Sequence, residues 1–234
     1  KQKTAYEIRN CDWSSDVCSS DLKRFKFSSI EVGSFKCLGW QLHHDGKYIV
    51  IDQNDFLKNK LEDLNIDWQS KNLSQVMNEE EITIFRKAVG QVRWLVDNSR
   101  PDGSFDELEC SIVANKATYA HARQMAKLIE RLKASPMKVT FPVIGANEWR
   151  ITVFVDASHK NLPPMKTGSA AGYVIFLTDG FLIGKFGNCC ILTWRSAKIH
   201  RTVTSTYEAE TLSHSDALEE AMVCQHQIHK MTGI

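Results

Sequence analysis

The run Trp149-Arg-Ile-Thr-Val-Phe-Val-Asp156-Ala-Ser158 constrains the fold most. Its β-branched and apolar residues end abruptly in a carboxylate, which reads as a buried strand, Arg150–Val155, with Asp156 delivered at its tip. Downstream, Ser205-Thr-Tyr-Glu208-Ala-Glu210-Thr-Leu212 carries Ser and Glu three positions apart. That spacing is a capping box and starts a helix near Thr206, with Glu210 in its first turn and a half. Gly168–Leu177 and Cys189–Trp194 read as two further strands, the first rich in small residues. Strand, strand, strand, helix predicts an antiparallel meander beside a helix.

Two carboxylates on separate rigid elements suit a divalent-metal site for phosphodiester chemistry. Two Mg²⁺ ions about 4 Å apart activate a water and stabilise the leaving oxygen, and Mg²⁺ keeps several waters, so each carboxylate need give only one contact. Asp156 alone also reads as a strand-terminal Asp in a turn. Glu208 competes with Glu210 but suits the capping role better. After the third strand, Trp194-Arg-Ser-Ala-Lys-Ile-His-Arg201 reads as a basic turn. Arg195, Lys198 and Arg201 are candidates to grip phosphates, and Ser196 to bond a sugar or phosphate oxygen. A solvated loop is the alternative.

Charge is divided accordingly. Between Ile151 and Thr204, Lys160, Lys166, Lys185, Arg195, Lys198 and Arg201 face only Asp156 and Asp179. From Ser205 onward, Glu208, Glu210, Asp216, Glu219 and Glu220 face only Lys230. The whole-chain charge of +1 says nothing about nucleic acid; this asymmetry suggests local specialisation. Hydrophobic residues at 43% and charged residues at 24% are ordinary for a globular chain. No apolar run approaches the roughly 20 residues of a membrane span, so no membrane is expected as a partner. The seven cysteines show neither CxxC pairing nor zinc spacing and fit a reducing compartment.

The first half predicts other elements. Phe25–Trp40 reads as strand, His44-Asp-Gly46 as a turn and Tyr48–Ile51 as the returning strand of a hairpin. Asp52–Leu64 carries a helical stripe at Phe56, Leu57, Leu61 and Leu64, and 65–78 reads as a polar loop. Glu79–Asp97 predicts a helix with Ile82, Phe85, Val89, Val92 and Val96 inward. Arg100-Pro-Asp-Gly103 breaks it, and Phe105–Ala114 and Thr118–Leu132 read as two more helices. The last turns Arg123, Lys127, Arg131 and Lys133 outward, a solvated face or one that tracks a phosphate backbone. By contrast Cys11–Leu22, CDWSSDVCSSDL, shows no period. It is either a Ser/Asp linker or, as it resembles, a translated sequencing-library adapter. We treat 1–22 as artefactual or disordered and expect it not to pack.

In their order, FKCLG at Phe35–Gly39, EITIFRKAVGQVRWLVDNSRPDGSF at Glu81–Phe105, the Asp156 strand and LTWRSAKIHRTVTSTYEAETL at Leu192–Leu212 resemble the Pol polyprotein of copia-type LTR retrotransposons. The Arg-Pro-Asp triplet after Arg86, Gly90 and Trp94, and the W-x-S-x-K element followed by A-E-x-L, carry most of the resemblance. It implies an α+β chain in which a helical thumb/connection region is followed by a truncated RNase H-like α/β domain of three antiparallel strands plus the first helix. Residues 23–64 would close the reverse-transcriptase palm, with Phe35–Gly39 at the primer strand; 65–147 would form the thumb/connection and 148–234 the partial RNase H-like domain. The parent activities would be RNA-directed DNA synthesis and Mg²⁺-dependent endonucleolytic cleavage of RNA in RNA–DNA hybrids. Asp156 and Glu210 would be the first two catalytic and metal-binding acids of a two-metal site that is incomplete in this chain. Partners would be the hybrid, the template-primer and the rest of Pol, in a cytoplasmic particle with the nucleus as second compartment.

Two departures matter. No Asp-Asp dipeptide occurs, so this polypeptide is not expected to polymerise. The third acid expected after the helix is absent, and Asp216 cannot replace it, being about 240° around the helix from Glu210. The expectation is therefore weak Mg²⁺ binding without cleavage. The alternative is a non-catalytic nucleic-acid-binding module derived from such an element. An RNase H-like ATPase is disfavoured, because no Gly-rich phosphate loop follows the first strand.

Overall fold

The computed structural model describes residues 33–44, 46–144, 149–163, 167–180 and 187–232. The adapter-like segment and Phe25–Val32 lie outside them. Helices and antiparallel sheets make the chain α+β.

The first sheet starts with β1 (Ser34–Cys37), β2 (Trp40–His44) and β3 (Tyr48–Asp52). The expected strand through Phe25–Trp40 is corrected here: Cys37 pairs with Trp40, so Leu38 and Gly39 form a two-residue turn. Both have positive φ, 49° and 84°, as a type I′ hairpin requires. Leucine rarely accepts that conformation, so the apolar alternation concealed the reversal. The second hairpin runs from β2 to β3 with His44 opposite Ile49, as read from the His-Asp-Gly turn signal.

The helix expected over Asp52–Leu64 shrinks to α1 (Asn54–Asn59). Lys60 and Leu61 both donate to the Phe56 carbonyl, which closes the helix. Leu61 and Ile66 then reach the core from extended chain. The apolar stripe was real, but its burial needed no further helical turn.

Next come α2 (Glu79–Asn98), a 3₁₀ turn at Pro101–Gly103, α3 (Ser104–Ile112) and α4 (Tyr119–Ala134). The helical period placed all three helices to within two residues. Asn78 caps α2: its side chain accepts from Glu81 N at 2.9 Å and its backbone N–H donates to the Glu81 carboxylate at 3.0 Å. Phe85, Val92 and Leu95 of α2 pack on Met125, Leu128 and Leu132 of α4 as the main core. Of the outward bases on α4, Arg131 is paired with Asp106 and Lys133 with Asp63, both at 2.7 Å.

The Arg-Pro-Asp triplet ties these helices together. Arg100 is 1% exposed; its Nε and Nη2 grip Asp102 at 2.9 and 2.8 Å, and its Nη1 donates to the Leu132 carbonyl at the end of α4. The Arg100 hydrogen bonds hold the Asp102 carboxyl below the usual range.

A strand that sequence reading missed, β4 (Val139–Pro142), returns to pair with β3 and completes the order β1-β2-β3-β4. It is too short for its period to register. The second sheet, in order β5-β6-β7, comprises β5 (Trp149–Leu162), β6 (Gly168–Asp179) and β7 (Cys189–Ile199), followed by α5 (Thr206–Thr232). Ile151, Val153, Val155, Tyr173 and Ile175 pack under Ala217 and Ala221 of α5. The opposite face meets the helical half, where Leu162 and Ala170 bury Leu108 of α3. Trp194 of β7 donates its indole N–H to the Val96 carbonyl at 2.7 Å. That carbonyl is free because Arg100 N turns back to Leu95 O instead.

Replacing Trp194 by Phe should cost about 1–3 kcal/mol in chemical denaturation, since it strands the Val96 carbonyl. Arg100→Lys, which cannot reproduce the two-pronged grip, should cost about 1.5–3 kcal/mol. Its effect should shrink as pH falls through the depressed Asp102 value, because a lowered folded pKa stabilises only above it.

Candidate functional site

Asp156 is exposed on β5, yet the strand does not stop there. It runs six residues further to Leu162, so the carboxylate leaves the middle of a strand rather than its tip. The chain stays extended because Asp156, Ala157 and Ser158 keep their pairing to Gly172, Ala171 and Ala170. Irregularity comes only beyond Ser158, where Lys160 takes φ 53° before Leu162 rejoins the ladder opposite Gly168.

Side chains alternate along a strand. Val153 and Val155 face α5, so Asp156 leaves the sheet on the other face. Its cross-strand row runs Asp156, Gly172, Ser196. With strands about 4.8 Å apart, Asp156 and Ser196 stand about 10 Å apart across the row. Gly172 leaves a notch between them. A Cβ there would meet only the Arg195 carbonyl oxygen, at an ordinary 3.6 Å.

The basic turn is a second local correction. Arg195, Ser196 and Lys198 belong to β7, which extends to Ile199, and only Arg201 lies in the connection to α5. Register then separates them. Ser196 and Lys198 share the face of Asp156, whereas Arg195, opposite Tyr173, points toward α5. There Arg195 hydrogen-bonds the Tyr173 hydroxyl, with Glu220 and Asp216 nearby. Burial pushes that hydroxyl up, Glu220 adds to the rise, and Arg195 pulls against it.

Glu210 is half-buried in the second turn of α5. One turn later Ser213, 1% exposed, donates its hydroxyl to the Asp156 carbonyl at 3.0 Å. Helix and strand therefore meet at the level of the two acids, through the Asp156 backbone. β5 is an edge strand of its sheet, and the Asp156 carboxylate leaves the face opposite the one that packs under α5, which carries Glu210. Among the described residues no group of three His, Cys, Asp or Glu gathers as a metal cage.

Glu208 acts as expected at the helix start, with one change. Ser205 Oγ accepts from Glu208 N at 3.1 Å, but the Glu208 carboxylate reaches back to Thr204, accepting from its N at 2.8 Å and its Oγ1 at 2.9 Å. Those bonds, led by the Thr204 backbone N–H, hold the Glu208 carboxyl below its usual value. His159 of β5 adds a weaker pull.

Sequence reading missed two positions that shape this region. Gly172 was visible only as part of a small-residue run. Ser213 gave no signal, since a Ser at helical spacing looks solvent-facing until the helix is docked.

No protein-family model, curated protein or solved structure matches the chain. Chemistry at these positions rests on their geometry alone.

Ser213→Ala should lower stability by about 0.5–1.5 kcal/mol and loosen the contact between α5 and β5, measured as faster amide exchange in the first turns of α5. The Glu208 cap should act above the ordinary Glu range and fade as pH drops through its depressed value. Exchange of the first α5 amides should therefore speed up on acidification, beyond the intrinsic rate change, in the native chain but not in Glu208→Gln.

Proposed function

We propose that this chain is part of a copia-type retrotransposon Pol polyprotein, and that β5, β6, β7 and α5 open an RNase H-like unit that engages RNA–DNA hybrid. The observation that carries this is the docking of α5 on β5 through Ser213 and the Asp156 carbonyl, which brings the Asp156 strand and the Glu210 helix to one level. The preceding helices and hairpins would then be thumb/connection and the end of the palm.

Both groups offer the hard carboxylate oxygens magnesium takes, but the Asp156 carboxylate leaves the face opposite α5, so this arrangement does not converge the two acids on one ion. Asp156, exposed and with room for retained waters, is the acid that would hold an ion weakly, while Glu210 lies with α5 on the other side of the strand. When bound, Mg²⁺ polarises a phosphate oxygen and acidifies a water. The chain's own residues supply the rest. Lys198 offers a charge to a backbone phosphate and Ser196 a hydroxyl to a sugar or phosphate oxygen. The Gly172 notch lets a strand lie close to the sheet between Ser196 and Asp156. Arg195 is already engaged with Tyr173 and contributes to folding of the α5 face, while Arg201 stands in solvent beside the helix start.

The test is a salt titration of hybrid binding. Lys198→Ala should weaken binding to all sequences alike and reduce the log–log salt slope by about 1. Asp156→Asn should leave that slope intact and remove the chain's weak Mg²⁺ binding, with no Mg²⁺-dependent nicking by either form. Salt-dependent hybrid binding with Mg²⁺ binding indifferent to Asp156→Asn would favour the non-catalytic binding module, and Mg²⁺-dependent, Asp156-dependent cleavage would refute the expectation of inactivity. Failure to bind hybrid at low salt would sink both readings.

A further inference from the structure

A cleft of about 240 Å³ opens where the two sheets meet the end of α2. Three of its walls are aromatic: Trp40 of β2, Phe141 of β4 and Trp194 of β7. Its polar lining is Asp97 and Asn98, the last two residues of α2, with Thr193 at the side. The cleft owes nothing to the Asp156 region and has no part in the reading proposed above.

Several independent features give it one electrostatic sign. Asp97 brings a carboxylate. The C-terminus of α2 contributes the negative end of a helix of 20 residues, and its last turn contains no basic residue. Arg93, whose charge reaches Asp97, is itself ion-paired with Glu107 at 3.1 Å. The Trp194 ring is fixed by its bond to the Val96 carbonyl, so its orientation is set before any ligand arrives. Trp40 has its indole N–H buried without a hydrogen-bond partner among the described residues. Desolvation raises the Asp97 carboxyl above its usual value against a weaker pull from Arg93, while the residue keeps solvent exposure.

We propose that this cleft binds a small organic ammonium ion, held by the aromatic faces and the Asp97 carboxylate, with an oxygen close to the charge accepting from the Trp40 N–H. Aromatic faces attract a cation through their quadrupole, and a desolvated quaternary ammonium gains most. The size suits a single compact headgroup, being smaller than the roughly 300–1,000 Å³ of sites for larger ligands. A free choline-like ion offers both the charge and the oxygen, whereas a methylated lysine side chain on a partner offers the charge alone.

Calorimetry and tryptophan fluorescence with the full chain test it, using choline, tetramethylammonium, a trimethyl-lysine peptide and the uncharged isostere 3,3-dimethylbutan-1-ol. The charged probes should bind and the uncharged one should not. Whichever of choline and the peptide binds more tightly identifies the source. Asp97→Asn should weaken the charged probes about tenfold. Trp40→Phe, which keeps a ring but loses the N–H, should weaken choline and leave tetramethylammonium unchanged. Equal binding of the uncharged isostere, or no binding of any charged probe, would overturn the proposal.

Discussion

The bond from the Trp194 indole to the Val96 carbonyl holds the molecule's two halves in register. It uses a carbonyl that α2 leaves over at its own end and a donor that β7 must otherwise bury unpaired. Helix termini always carry such leftovers. Here the leftover is met from a strand almost a hundred residues away, so the end of α2 cannot move without moving the second sheet. Leu108 against Leu162 and Ala170 reinforces the same contact from α3. α5 thereby packs on one face of the sheet, and the helical half meets part of the other, at Leu162, Ala170 and Trp194.

The Arg-Pro-Asp triplet shows how a motif read as identity turns out to have a mechanical task. Arg100 is fully buried between its own Asp102 and the Leu132 carbonyl in the last turn of α4. A buried guanidinium is tolerated only with its donors satisfied, and the fork geometry satisfies three at once. Proline between the two partners fixes the short turn that lets Asp102 face back onto Arg100. The residues that carried the resemblance most strongly are thus residues that the local fold requires.

Long amphipathic helices were legible because their burial repeats over several turns: Phe85, Val89, Val92 and Val96 mark one face of α2 unmistakably. The start of α5 was legible from Ser205 and Glu208, although the carboxylate chose Thr204 as partner. Strand limits were not. Asp156 and Arg195 are polar, so each looked like the end of a strand, whereas both are exposed positions on strands that continue. Polarity marks the solvent side of a sheet as readily as its edge. The Leu38–Gly39 turn failed for the converse reason, an apolar residue where a polar turn former is usual. Nothing in the linear order could show that Ser196 and Arg195, adjacent in sequence, would lie on opposite sides of a sheet.

Gly172 has a consequence of a different kind. Its backbone lies in regular pairing, and a Cβ there would meet only the Arg195 carbonyl oxygen, at ordinary contact distance. Packing therefore does not demand glycine. The depth of the channel between Asp156 and Ser196 is a setting that one codon controls, independent of the scaffold: a methyl would make it shallower, a branched chain would close it, and the strands beneath would register neither change.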